Sequence, residues 1–189
     1  MTNQSFAPTV DAALRFRPAT RADLPAVVAL VESAYRGDVS RDGWTTEADF
    51  LAGQRTSLDD LEPLLGRPQS RILLAERDGD LLACAHVMVD EGTGYFGMFS
   101  VVPTLQGGGI GKAVLAECER IAREDWHCPS MRMTVIDIRD TLIEFYERRG
   151  YARTGIHKPF PYGDARYGLP LRDDLRFEVL EKHFGERAR

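Results

Sequence analysis

The segment Val101-Val-Pro-Thr-Leu-Gln-Gly-Gly-Gly-Ile-Gly-Lys112 constrains the fold of this chain more than any other. It joins a β-rich run, Tyr95 to Val102, to a stretch in which Ile110, Val114, Leu115, Cys118, Ile121 and Ala122 recur at helical spacing. Pro103 ends the strand, and four glycines within residues 107–111 open the helix. A strand fed through glycines into an amphipathic helix belongs to a layered α/β structure, because each element covers the other's apolar face. The turn also suits an anion. N–H groups at a helix start lack intrahelical acceptors, the helix dipole adds positive potential, and glycines let a phosphate approach without a Cβ in the way. Two nucleotide-binding motifs fail here. A Walker A loop needs glycine where Gln106 stands and Ser or Thr where Ala113 stands. Gly92-Thr-Gly94-Tyr-Phe-Gly97 spells GxGxxG but precedes a strand and not a helix, so its dinucleotide context is missing.

The rest of the chain extends the same pattern. Leu14 to Arg17 alternates as a short first strand, and Thr20 with Asp23 caps a helix running to about Tyr35. Thr45 or Thr46 is expected to cap a second helix through Phe50 and Leu51, and Ser57 a third through Leu61, Leu64 and Leu65. Arg71 to Glu76 and Leu81 to Val89 form a hairpin about Asp78-Gly79. After the glycine-led helix come a strand from Met131 to Ile138, a helix from Thr141 to Arg149 stopped by Gly150, and strands over 151–157 and 175–180. A length of 189 residues argues for one domain, 13–189, behind a loose polar tail over 1–12. The chain is 43% hydrophobic and 28% charged, which gives it enough apolar surface to bury a core unaided. A formal net charge of -5 disfavours nucleic acid as a partner, and no apolar run is long enough for a membrane span. Cys84, Cys118 and Cys128 fit no CxxC spacing and read as reduced thiols, so the expected compartment is the cytoplasm.

Gln106, Gly109 and Gly111 form Q-x-x-G-x-G directly after Val101-Val-Pro103, and Phe145-Tyr-Glu-Arg-Arg-Gly-Tyr151 follows in the expected order. On these two motifs the chain resembles the GNAT N-acetyltransferase superfamily over roughly residues 14–180. The run Arg139-Asp-Thr-Leu-Ile-Glu-Phe-Tyr146 with Pro159-Phe-Pro-Tyr-Gly163 further resembles a bacterial subgroup of unassigned substrate. The resemblance implies an α/β fold whose mixed, mostly antiparallel sheet splays after its fourth strand and carries helices on both faces. It also implies acetyl-CoA as cosubstrate. By that analogy the backbone of Phe99, Ser100 and Val101 meets the pantetheine arm, and Gln106, Gly107, Gly108, Gly109, Ile110, Gly111 and Lys112 hold the pyrophosphate. Arg139 stands where the superfamily often has asparagine, so the cofactor contact expected there is a charged one. Tyr146 is the expected catalytic residue, a phenol placed to protonate or hydrogen-bond the departing thiolate.

No general base stands out among Asp90, Glu91, Tyr95 and His86, and the histidines lack metal-ligand spacing, so no metal is expected. Two irregular, aromatic segments, Tyr35 to Phe50 and His157 to Pro170, suggest an acceptor wall of Trp44, Phe160, Tyr162 and Tyr167. The expected activity is transfer of acetyl to a primary amine of a small molecule or peptide by direct attack, in a monomer or homodimer. The alternative is a non-catalytic acyl-CoA-binding sensor on the same scaffold.

Overall fold

The computed structural model describes residues 13–185, so the tail expected over 1–12 lies outside the described residues. In chain order come β1 (Arg15–Pro18), α1 (Leu24–Tyr35), β2 (Leu51–Ala52), α2 (Leu58–Leu65), β3 (Ser70–Arg77), β4 (Asp80–Asp90) and β5 (Thr93–Val101). Then follow α3 (Ile110–Arg120), β6 (Ser130–Ile136), α4 (Asp140–Glu147), β7 (Ala152–Pro159), β8 (Leu169–Pro170) and β9 (Arg176–His183). Among the described residues, seven strands form one sheet in the order β1-β3-β4-β5-β6-β9-β7, antiparallel throughout except for β5 beside β6. Helices cover both faces. Leu73, Ala75, Ala83 and Ala85 point to the side that packs on α3 and α4 through Val114, Leu115 and Ile143. Their neighbours Ile72, Leu74 and Cys84 point to the other side, against Val27, Val31 and Leu61 of α1 and α2. This is the alternation a strand imposes when both faces are buried.

Short-range chemistry sets the junctions. The Asp23 carboxylate accepts from the Thr20 backbone N–H at 2.7 Å and from its hydroxyl at 2.7 Å, opening a 3-10 turn that leads into α1. Asp78 and Gly79 take φ of 55° and 91°, as the two-residue β3–β4 hairpin requires, and Glu91 and Gly92 repeat this between β4 and β5 at 48° and 77°. No helix of the described residues is long and apolar enough to cross a membrane.

The sheet opens in its middle. β5 and β6 pair only at Gly94↔Met131 and Tyr95↔Arg132, after which both strands continue without pairing to each other. A bulge helps to turn β5 away: Met98 and Phe99 lie between the residues paired to Cys84 and His86, so two residues face the single Ala85, and Met98 takes φ of 49°.

The helix expected from Thr45 or Thr46 through Leu51 is absent. The Thr46 hydroxyl accepts from the Ala48 N–H at 3.1 Å, and the Glu47 carbonyl accepts from Phe50 and Leu51, which closes one turn and no more. Leu51 and Ala52 then pair with Pro170 and Leu169, forming a two-stranded clasp between distant loops.

Candidate active site

Two cavities occupy the opening. The first, about 220 Å³, lies between the glycine turn and α4. The second, about 130 Å³, lies in the split between β5 and β6. Tyr35, Phe99, Arg139, Leu142 and Tyr146 line both, so the cavities meet along that wall.

Gly107, Gly109, Gly111 and Lys112 border the first cavity, and Gly109 is the N-cap of α3 with φ of 87°. That left-handed conformation is what glycine supplies here, and it turns the chain so that the first N–H groups of α3 face outward. A Cβ on Gly111 would stand 3.0 Å from the Phe99 ring, so the close approach of turn and strand also depends on glycine. Gly108 is exposed beside them, while Ile110 is buried in the core and contributes only main chain. Gln106 holds the turn in place. Its side-chain carbonyl accepts from the Trp44 N–H at 2.9 Å, and its amide donates to the Val101 carbonyl at 3.3 Å.

Alternation along β5 divides the three residues expected to meet pantetheine. The Phe99 carbonyl accepts from the Tyr35 hydroxyl at 2.6 Å and the Val101 carbonyl from Gln106, so both face the opening. Ser100 is in register with Cys84, which directs its main chain toward β4.

Tyr146 is buried, with Phe96, Phe145 and Tyr151 edge-on to its ring at 6.4, 5.3 and 5.9 Å. Burial pushes its phenol well above the ordinary value, so the group is a proton-bearing donor throughout the physiological range. Its hydroxyl makes no hydrogen bond among the described residues, although the ring lines both cavities. Arg149, absent from the sequence-based set, adds a guanidinium to the first cavity by lying on the Phe145 ring at 3.4 Å.

Arg139 lines both cavities, but its guanidinium is committed to protein: it donates to Glu47 at 2.7 Å and to the Thr45 carbonyl. Glu47 accepts from Arg36 on its other oxygen at 2.8 Å. Burial alone would raise the Glu47 carboxyl, but Arg139, Arg55 and Arg36 outweigh it and hold the group below the usual carboxylate range. Sequence reasoning missed this cluster because its members are 11 and 92 residues apart.

The expected acceptor wall separates. Trp44 borders the first cavity, its ring tilted against Phe145 with centroids 5.6 Å apart, and Tyr167 borders the second. Phe160 is buried with Leu51, Ile136 and Leu175, and the Tyr162 hydroxyl accepts from the Leu175 N–H at 2.7 Å. Those two residues pack the connection between β7 and β9, and neither lines the two cavities. Among the base candidates, Tyr95 reaches the second cavity, where its hydroxyl meets that of Thr134 at 3.2 Å. His86 is buried against the Ser70 hydroxyl, and Asp90 and Glu91 lie near the β4–β5 turn, beside a separate small cavity.

Comparison with known proteins agrees with this geometry. The family model described as "Acetyltransferase (GNAT) family" matches residues 31–151, which include the glycine turn, the split and α4. An IAA acetyltransferase of Azospirillum brasilense is 32% identical over 155 residues, covering 79% of this chain and 91% of that protein. Among solved structures, the ribosomal-protein-alanine N-acetyltransferase of Brucella melitensis superposes with a TM-score of 0.67 at 20% identity, over 90% of this chain and 99% of that one. A GCN5-related N-acetyltransferase of Kribbella flavida gives 0.63 at 18%, over 91% and 98%. The opened sheet, the glycine turn at the head of α3 and the buried tyrosine of α4 thus occur together in a chain that belongs to the GNAT acetyltransferase family.

Proposed function

We propose that the protein transfers acetyl from acetyl-CoA to a primary amine of a small molecule or peptide by direct attack. The observation that carries this reading is that Tyr146 and Phe99 lie on the wall where the glycine-turn cavity meets the cavity in the split. The residues fit the cosubstrate. The N–H groups of 107–111 and the start of α3 suit a pyrophosphate, with Lys112 and Arg149 adding charge, and the outward-facing main chain of Phe99 and Val101 suits the amides of a pantetheine arm. Acetyl-CoA supplies an acyl group already activated as a thioester, which an acceptor amine in the second cavity attacks with loss of the thiolate.

Tyr146 then donates a hydrogen bond to the sulfur as negative charge develops there. Its raised phenol disfavours outright proton transfer, so its main contribution is electrostatic stabilisation of the leaving thiolate. The proton shed by nitrogen balances the one sulfur finally takes up. No thiol of the chain is set up to carry acetyl: Cys84, Cys118 and Cys128 are buried, and burial pushes Cys84 up to about 12. Nothing in the fold or among the relatives favours the non-catalytic sensor.

The test is thiol release from acetyl-CoA with a panel of amines, together with Tyr146→Phe. The variant is expected to keep acetyl-CoA affinity while kcat falls about 10²–10³-fold. An unchanged kcat with chemistry rate-limiting removes Tyr146 from the reaction, and acetyl-CoA binding without thiol release for any amine removes the amine acceptor.

A further inference from the structure

The second cavity has a chemical character of its own. Two guanidinium groups, Arg55 and Arg139, and one carboxylate, Glu47, stand on its wall. Arg36 adds a third guanidinium from behind, 93% buried at the side chain, with Nη1 on Glu47 while Nε and Nη2 find no hydrogen-bond partner. Glu32, also behind, uses one carboxylate oxygen on the N–H groups of Arg55 and Thr56 at 2.6 and 2.8 Å. The positive charge around the cavity therefore exceeds what the single carboxylate on its wall can offset.

Arg55 is the member with donors to spare. Arg139 is bonded to Glu47 and Thr45, and both Glu47 oxygens are occupied. The Arg55 guanidinium donates no hydrogen bond among the described residues; it rests over the Tyr35 ring, 5.1 Å from the centroid. Glu32 of α1 holds its backbone N–H, and the Tyr35 ring supports its head. A preorganised guanidinium with a free fork fits a carboxylate with two parallel bonds. Tyr35 also ties this group to the reaction site, since its hydroxyl holds the Phe99 carbonyl at 2.6 Å. The rest of the wall combines apolar and aromatic side chains, among them Met98, Met133, Tyr167 and Phe177, with the paired hydroxyls of Tyr95 and Thr134.

We propose that the acceptor is an amino acid with an aromatic or long aliphatic side chain, its carboxylate held by Arg55, its amine facing Tyr146 and its apolar body against Met98, Met133, Tyr167 and Phe177. This rests on the acetyl-transfer reading above and names the class of acceptor for that site. Leaving out the carboxylate strands the Arg55 donors in a partly closed cavity, so an amine lacking it is a poorer substrate.

The experiment compares matched pairs with and without the carboxylate: tryptophan and tryptamine, tyrosine and tyramine, phenylalanine and phenethylamine, leucine and isopentylamine. In wild type, kcat/KM is expected to favour the amino acid of at least one pair by about 10–100-fold, as a charge-assisted bond of this kind gives. Arg55→Met should bring that ratio near one, chiefly through KM of the amino acid, and Arg55→Lys should leave an intermediate ratio. Retained acetyl-CoA affinity in each variant reports an intact fold. A wild-type preference for the decarboxylated amines, or an unchanged ratio in folded Arg55→Met, overturns the proposal while leaving acetyl transfer to amines standing. Release of thiol with no member of any pair, in a protein that binds acetyl-CoA, overturns this proposal; release with other amines in the broader panel keeps the transfer reading, and its absence there removes that as well.

Discussion

Replacing Glu47 by glutamine removes one charge and almost no volume from the cluster that joins α1, the 43–47 turn and the start of α4. The side chains of Arg36, Glu47 and Arg139 are only 7%, 7% and 9% exposed, at 2.8 and 2.7 Å from one another across the two contacts. Neutralising the carboxylate leaves two buried guanidinium groups facing each other, and the glutamine amide must turn its own donors toward one of them. Breaking a buried pair in this way costs about 3–5 kcal/mol. In a chain of this size each kcal/mol shifts Tm by about 2–4 °C, so Tm should fall by roughly 6–20 °C. Urea unfolding should give a lower midpoint at unchanged m, and Glu47→Gln combined with Arg139→Met should recover part of the loss, because the double variant buries one uncompensated guanidinium, Arg36, in place of two. The pH dependence carries a definite sign. The folded Glu47 carboxyl lies below its ordinary value, so its contribution is complete above the usual carboxylate range and is lost as pH falls through and below it. A loss under about 1 kcal/mol, the size measured for exposed pairs, would refute the view that this cluster bolts the two sides of the opening together.

Two further outcomes follow from other parts of the molecule. Acetyl-CoA at one hundred times its Kd should stabilise the wild type by about 2.7 kcal/mol, and Gly111→Leu should abolish most of that thermal shift by driving a side chain into Phe99 and the first cavity; an undiminished shift would dissociate the turn from the cosubstrate. Burial and nearby Arg67 hold His86 at about 4 against an ordinary 6.5, so the native state resists its protonation and the unfolded chain does not. Stability should therefore decline as pH falls from above 6.5 toward 4, by about 2 kcal/mol at pH 5 for this group, and urea midpoints that show no smaller decline in His86→Gln would refute the assignment.

What the sequence made legible was chemistry completed within a few residues. Asp23 satisfies the Thr20 backbone three residues away, and Asp78, Gly79, Gly107 and Gly109 supply the positive φ their own turns need, so their residue types alone point to the structure formed. The periodicities of α1 and α3 were legible because a helix facing a sheet must repeat its apolar side. The turn at Thr45 to Leu51 was not, since a capping threonine starts a helix only if the next turns find support, and here the chain is drawn off to pair with Leu169 and Pro170. Phe160 and Tyr162 look like binding residues in a proline-rich stretch, yet Leu51, Ile136 and Leu175 make one of them core. Arg55 and Glu47 gave no local sign at all. Their meaning comes from Tyr35, Arg36 and Arg139, which only the folded chain brings near.

The split between β5 and β6 leaves two sheet edges inside the molecule and not at its rim. An open edge normally invites other polypeptides to add a strand, and a protein that keeps one risks aggregation. Here the edges border cavities of about 220 and 130 Å³, walled by aromatic rings and arginines. A pleated strand of another polypeptide, with side chains on both faces, needs a longer and wider opening than either cavity provides. The rims that solvent does see are β1, with Arg15, Arg17 and Pro18, and β7, with Arg153, Lys158 and Pro159, residues that discourage strand addition. The fold thus keeps its unpaired backbone beside cavities of small-molecule size, within the sheet and not at the rims that neighbouring chains meet first.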